Sequence, residues 1–197
     1  MKILDLTAGN RAVWFDKNYR DAIYVDCRPE VDPTFVLDSR SLPHDWADFG
    51  LIVFDPPHVN GGKNGNISRD YGHHTSAEIR DIVSRGAREA HRVSRTDALM
   101  AFKWNDHDQP LPKILDLMAP WWEPLFGHKT ASRTKHSSST QWVMLRRIND
   151  KNEIKDALRQ ALRQWAMYAE NEGRDLDTED TTEALVYRQS LLLINAR

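Results

Sequence analysis

Residues 51–58 read "LIVFDPPH". A short apolar run, partly β-branched and bounded by turn residues, predicts a buried strand over Leu51–Phe54. Pro56 and Pro57 stop it, because proline has no N–H to give a ladder and fixes its own φ. Their carbonyls remain acceptors, and Asp55 adds a carboxylate in front of them. The strand therefore ends in a rigid pocket that accepts hydrogen bonds and does not donate them. An uncharged NH2 group suits such a pocket. With both hydrogens held, its lone pair is turned toward a third partner, which is activation by orientation. His58 adds a flat ring for stacking on a substrate.

Working outward, four more apolar runs flank this one: Ile3–Leu6, Ala22–Val25, Phe35–Leu37 and Ala98–Phe102. The first three end at or beside an acid (Asp5, Asp26, Asp38), and the last runs into "KWN" at 103–105. Short continuous apolar runs separated by helical patterns predict a parallel sheet buried on both faces. A helix is expected after the "DLTAGN" loop (5–10), between the first two strands. A second begins at "TSAE" (75–78), which has capping-box form. Its apolar stripe is Ile79, Ile82, Val83, Gly86, Ala87, Ala90 and Val93. A third covers about 111–118, and "WWEPLFGHK" with "TQWVMLRR" predicts a closing pair of strands. The fold class is α/β, a doubly wound sheet, mostly parallel with one antiparallel strand. This domain is expected over residues 1–148.

Residues 149–197 have a different character. Ile154, Ala157, Leu158, Ala161, Leu162, Trp165 and Ala169 form one helical stripe that Gly173 would stop. A second helix follows, with Thr178 as its expected cap. Together they predict an αα-hairpin extension, with an amphipathic surface suited to a homodimer or a protein partner.

The gross numbers exclude several classes. Cys27 is the single cysteine, so no internal disulfide forms and a reducing compartment is expected. No apolar stretch reaches 18 residues, so a soluble, cytoplasmic chain without a membrane partner is expected. A net charge of −2 argues against a blanket nucleic-acid coat. The charge is uneven, however. Residues 58–150 carry a positive excess of four and seven of the eight histidines, a face suited to an anionic partner.

In open α/β sheets, ligands bind beyond the carboxyl ends of the strands. Asp5, Asp26, Asp38 and Asp55 should therefore share one edge and one site. The "DLTAGN" loop has one glycine, Gly9, with Asn10 and Arg11 after it. A tight pyrophosphate cradle needs more glycines, so a smaller, less anionic ligand fits, such as the amino-acid part of S-adenosylmethionine. Asp26 stands where a ribose-binding acid would be.

These stretches together resemble the class I S-adenosylmethionine-dependent methyltransferases of the amino-methylating type. That family carries an Asp/Asn-Pro-Pro-aromatic tetrad (DPPY-like, here DPPH) after its fourth strand. The resemblance covers about residues 1–148 and implies a Rossmann-like methyltransferase domain with S-adenosyl-L-methionine as cofactor and no metal. It implies that Asp55 and the Pro56 carbonyl hold the target amine, that Pro57 completes the tetrad, and that His58 stacks on an extruded base. It assigns the Asp5, Thr7, Ala8, Gly9 loop, the ribose acid Asp26, and Asp38 with Ser39 beside the adenine to the cofactor. It points to an exocyclic amine of a DNA or RNA base as substrate. Protein glutamine amide is the alternative target, and a non-catalytic module that binds cofactor or nucleic acid is a further one. The chain departs from the family in placing His at the tetrad's last position and Arg11 near a usual second glycine. It also has no segment the size of a DNA target-recognition domain.

Weaker substrate contacts are expected from Lys103 and Asn105 at the fifth strand's end. Others are Lys129, Arg133 and Lys135 in the loop "HKTASRTKHSSS", and Lys63 and Tyr71 in "NGGKNGN…YGHH", a candidate lid. His58, His73 and His74 lack metal-ligand spacing. Trp121 and Trp122 are expected to pack in the core or at the substrate edge.

Overall fold

The computed structural model describes residues 1–58, 74–129, 139–149, 159, 162–163, 165–167, 169–170, 172–176, 178 and 181–195. The chain divides into two compact units, Met1–Ile148 and Asn149–Arg197.

The first unit is a seven-stranded sheet. Its strands are β1 (Ile3–Asp5), β2 (Ala22–Asp26), β3 (Phe35–Val36), β4 (Phe49–Phe54), β5 (Ser94–Asn105), β6 (Trp122–Lys129) and β7 (Thr140–Arg147). They lie in the order β3-β2-β1-β4-β5-β7-β6. β1 through β5 pair in parallel, whereas β7 runs antiparallel to both β5 and β6. β7 is thus the one reversed strand. The strand order changes direction between β1 and β4, as a doubly wound sheet requires.

Helix α1 (Ser76–Val93) begins at a true capping box. Thr75 Oγ1 accepts the Glu78 N–H at 3.2 Å, and the Glu78 carboxylate accepts the Thr75 N–H at 2.7 Å. All seven residues of its predicted apolar stripe are buried. Helix α2 (Leu111–Met118) lies beside it and buries Ile114 and Met118. Both belong to the core formed by Leu4, Ile52, Phe54, Met100, Phe102, Trp104, Val143 and Leu145. Trp122 is fully buried there and donates its indole N–H to the Ala87 carbonyl at 2.9 Å.

The expected helix between β1 and β2 is absent. Residues 6–21 run as turns. Arg11 explains this. It adopts φ +54°, the left-handed conformation that a second glycine would take without cost. Its guanidinium donates to the Lys17 and Asp32 carbonyls and lies 4.2 Å from the centre of the Tyr24 ring. These contacts offset a strain of ~1 kcal/mol and fold the segment into a tied loop.

In the second unit, residues 159, 162–163, 165–167 and 169–170 are helical, and the rest of the expected first helix lies outside the described residues. Gly173, at φ +73°, ends it, with the Arg174 N–H returning to the Ala169 carbonyl. Helix α3 spans Thr182–Asn195. Its cap is Thr181, whose hydroxyl accepts the Ala184 N–H at 3.2 Å. The expected cap, Thr178, instead donates its hydroxyl to Asp175. Ala169, Leu176 and Ala184 make a small core with Trp165 and Tyr187. No helix among the described residues is long and apolar enough to cross a membrane.

Gly86 lets α1 approach the sheet. A Cβ there would stand 2.9 Å from Cζ of Phe54, a fully buried ring with no room to retreat. Gly86→Ala should lower stability by about 1–2 kcal/mol, overpacking outweighing the gain in helix propensity. A urea midpoint equal to or above wild type would show that the ring can move.

Candidate active site

The β1/β4 reversal point opens into a cavity of about 400 Å³, within the range of small-molecule sites. Its lining includes Asp5, Thr7, Ala8, Gly9, Asp26, Asp38, Ser39, Asp55 and Pro57. The fold thus brings together every residue expected at the cofactor and two of the four tetrad residues. Pro56 is buried behind them, and His58 has a side chain only 15% exposed. Lys63, Tyr71, Arg133 and Lys135 lie outside the described residues, as does the side chain of Lys129.

The four acids are held in four different ways. Asp5 is 1% exposed, and burial pushes its carboxyl up to about 7. The Trp14 indole N–H, 2.6 Å from Oδ2, and the Thr7 N–H act against that rise, while the charges of Asp55 and Asp26 add to it.

Asp26 accepts from the Arg28 N–H and Nε–H on Oδ1, and from the Gly9 N–H and Arg28 Nη2 on Oδ2, all within 2.8–3.1 Å. Burial pushes its pKa upward, but these donors outweigh it and hold the carboxyl below its usual range. A carboxylate has about four acceptor places, so Asp26 is saturated within the chain. Asp38 is held low mainly by hydrogen bonds from the Arg40 guanidinium, which also reaches Asp81 at 2.8 Å.

Asp55 differs from the other three. Lys103 Nζ lies 2.6 Å from Oδ2. Oδ1 is buried and has no hydrogen-bond partner among the described residues. The nearby His58 Nδ1 is 3.9 Å from Oδ1 and is committed to the Pro56 carbonyl at 3.1 Å. Burial lowers the His58 pKa, so at neutral pH the ring is neutral and Nδ1–H donates to that carbonyl. The Pro56 oxygen therefore already has one donor and keeps one lone pair for another. The His58 ring also meets Trp104 edge-on at 6.0 Å, so little of it is open for stacking.

The Thr7 oxygen accepts the Asp55 N–H at 3.1 Å and joins the two loops, while Thr7 lines the cavity as expected. The Asn105 side chain is engaged within the sheet, with its amide donating to Thr140 and its oxygen accepting from the His107 N–H.

Arg28, Arg40 and Trp14 were not anticipated. The signal for the first two is in the sequence. "DCR" (26–28) and "DSR" (38–40) repeat an acid followed two residues later by arginine, each at the end of a strand. Trp14 left no signal, because its reach to Asp5 depends on the tied loop.

No protein-family model matches the chain, and no curated protein matches it. Solved structures do. A protein from Pyrococcus horikoshii is 12% identical with a TM-score of 0.54, over 75% of this chain and 82% of that one. A TehB-like SAM-dependent methyltransferase from Corynebacterium glutamicum is 15% identical with a TM-score of 0.52, over 75% and 80%. The N-methyltransferase NodS from Bradyrhizobium japonicum, in complex with S-adenosyl-l-homocysteine, is 9% identical with a TM-score of 0.52, over 75% and 78%. The fold is the Rossmann-like one of these methyltransferases.

The Asp5 carboxyl makes stability depend on pH. Its folded pKa lies above the unfolded one, so the folded state binds the proton more tightly. Stability is greatest below about pH 4 for this group and is lost as pH rises to about 7. A rise of about three units corresponds to at most ~4 kcal/mol. Asp5→Asn keeps an acceptor for Trp14 and removes the ionisation. The variant's urea midpoint, compared with wild type, should gain between pH 5 and pH 8. A constant difference across that range would mean that Asp5 does not titrate there.

Proposed function

We propose that this chain is a class I S-adenosylmethionine-dependent methyltransferase that methylates an exocyclic amine of a nucleic-acid base. The observation that carries the reading is Oδ1 of Asp55, which is buried and has no hydrogen-bond partner among the described residues, on a side chain that lines the cavity. A buried acceptor without a donor costs about 1–3 kcal/mol, so the site is built to receive an N–H. The carbonyl lone pair of Pro56 can take the second hydrogen.

The residues present fit the cofactor with one adjustment. The Asp5–Gly9 loop, Asp26, and Asp38 with Ser39 would hold its amino-acid, ribose and adenine parts. Ribose hydroxyls need an acceptor place on Asp26, so the Arg28 guanidinium must yield at least one of its bonds there. When bound, S-adenosylmethionine supplies a methyl group on a sulfonium. Asp55 and Pro56 fix the amine so that its lone pair faces that carbon. In that arrangement Asp55 would be the acceptor placed to take the proton that the nitrogen sheds on methylation. Orientation of this kind contributes the larger part of catalysis where the electrophile is already strong.

The nucleic-acid substrate rests on the resemblance of "DPPH" and on the positive excess of residues 58–150. Incubation with radiolabelled S-adenosylmethionine and separate pools of DNA, RNA and protein tests it directly. Label should enter a nucleic-acid pool. Label in protein alone would replace the base with a side-chain amide as substrate. Asp55→Ala should lower transfer by about 10²-fold or more while the cofactor dissociation constant stays within a few-fold. Unchanged transfer in that variant would remove Asp55 from the mechanism.

A further inference from the structure

Lys103 makes the two oxygens of Asp55 unequal. It stands on β5 opposite Trp142 of β7, and the preceding residue Phe102 pairs with Phe54, one residue before Asp55. Its neighbours Phe102 and Trp104 point into the core, so the alternation of a strand sends the Lys103 side chain to the other face. From there Nζ reaches Oδ2 at 2.6 Å. Both side chains are mostly buried, 21% and 16% exposed, and the Trp142 ring stands 6.0 Å from the ammonium.

A buried ion pair is a weak source of stability, because the desolvation of both charges cancels much of their attraction. A pair whose acid lines a binding cavity therefore calls for another role. A carboxylate free to rotate offers two equivalent oxygens. With Oδ2 tied to Lys103, the plane of the group is fixed, and Oδ1 has no donor among the described residues. The ammonium also balances the charge, so the acceptor suits a neutral NH2 group.

We propose that Lys103 is a positioning residue that clamps Oδ2 of Asp55 so that Oδ1 receives the target N–H. This rests on the methyltransferase reading above. It places Lys103 behind Asp55 rather than on the substrate, where the sequence pattern alone put it.

Two measurements separate this idea from the reading it rests on. The first needs no activity. In a cycle of Asp55→Asn, Lys103→Met and the double variant, the urea midpoint shifts should be non-additive. Additive shifts would overturn the clamp. The second is kinetic. Lys103→Ala should lower kcat about 10–100-fold, with KM for the nucleic acid and cofactor affinity within about three-fold of wild type. Lys103→Arg should retain more activity than Lys103→Ala, and added ethylammonium should restore part of the loss in Lys103→Ala where ethanol does not. A raised KM with unchanged kcat would place Lys103 on the substrate and overturn the proposal. A fall in kcat that neither arginine nor ethylammonium relieves would make its role merely structural, with the same result. If the midpoints are non-additive but wild type transfers no methyl group, the methyltransferase reading fails and the clamp on Asp55 stands.

Discussion

The site depends on the register between β1 and β4. Ile3 pairs with Leu51, Leu4 with Ile52 and Asp5 with Val53. The two strands therefore end almost level, and the loops that leave them run side by side. Pro56 and Pro57 cannot donate, so Asp55 is the last backbone donor before His58. Its N–H goes to the Thr7 hydroxyl across the gap. That single bond joins the small-residue loop after β1 to the proline loop after β4. A slip of one residue would send Asp5 and Asp55 to the opposite face and dissolve the cavity.

Four acids around one small cavity would repel each other if all were bare. The chain deals with each separately. Asp26 and Asp38 are neutralised by the arginines two residues on, and Asp55 by Lys103, which engages only one of its oxygens. Asp5 has no ion-pair partner among the described residues; burial raises its pKa, and the Trp14 N–H opposes that rise by favouring the charged form. The result is a cavity whose four acids come close to charge balance, with Arg28 and Arg40 in the same lining. Such a lining tolerates a ligand with a single positive centre and many hydroxyl or amine donors better than it tolerates a polyphosphate. The left-handed Gly9 and Arg11 fit the same picture, because the loop that holds them spends its donors internally on Asp26 and on backbone carbonyls.

Much of this was legible in the sequence. The strands, the long capped helix and the gathering of Asp5, Asp26, Asp38 and Asp55 follow from alternation, capping chemistry and the rule for strand ends. The failures share one cause. The helix after β1, the partners of Asp26 and the reach of Lys103 are all decided by contacts between residues far apart in space or by one backbone angle. Arg11 illustrates the point: its composition suits a helix, and its contacts with Lys17, Asp32 and Tyr24 override that local preference. Lys103 was read as a substrate contact because position alone cannot say whether a lysine at a strand end faces outward or turns back to a neighbouring acid. The cap of α3 is Thr181 and not Thr178 because the helix begins at Thr182, and the capping residue directly precedes it.

The proposed amine site would carry its own selectivity, because its nearby donors, the Lys103 ammonium and the His58 Nδ1–H, are spent on Oδ2 of Asp55 and on the Pro56 carbonyl. An amine placed there satisfies Oδ1 of Asp55 and the spare lone pair of Pro56. A carbonyl in the same position meets two acceptors with a third, and all three lose their water without gaining a donor. Sites built to hydrogen-bond a polar group reject analogues lacking it far more strongly than apolar pockets reject a missing methylene. The two prolines deepen that difference, because neither has a backbone N–H to offer. His58 completes the arrangement by a route that a larger aromatic ring could not follow. Its Nδ1–H takes one lone pair of the Pro56 carbonyl and so fixes the direction of the other. Under the proposed function, His58 exchanges stacking surface for a hydrogen bond that orients the Pro56 carbonyl.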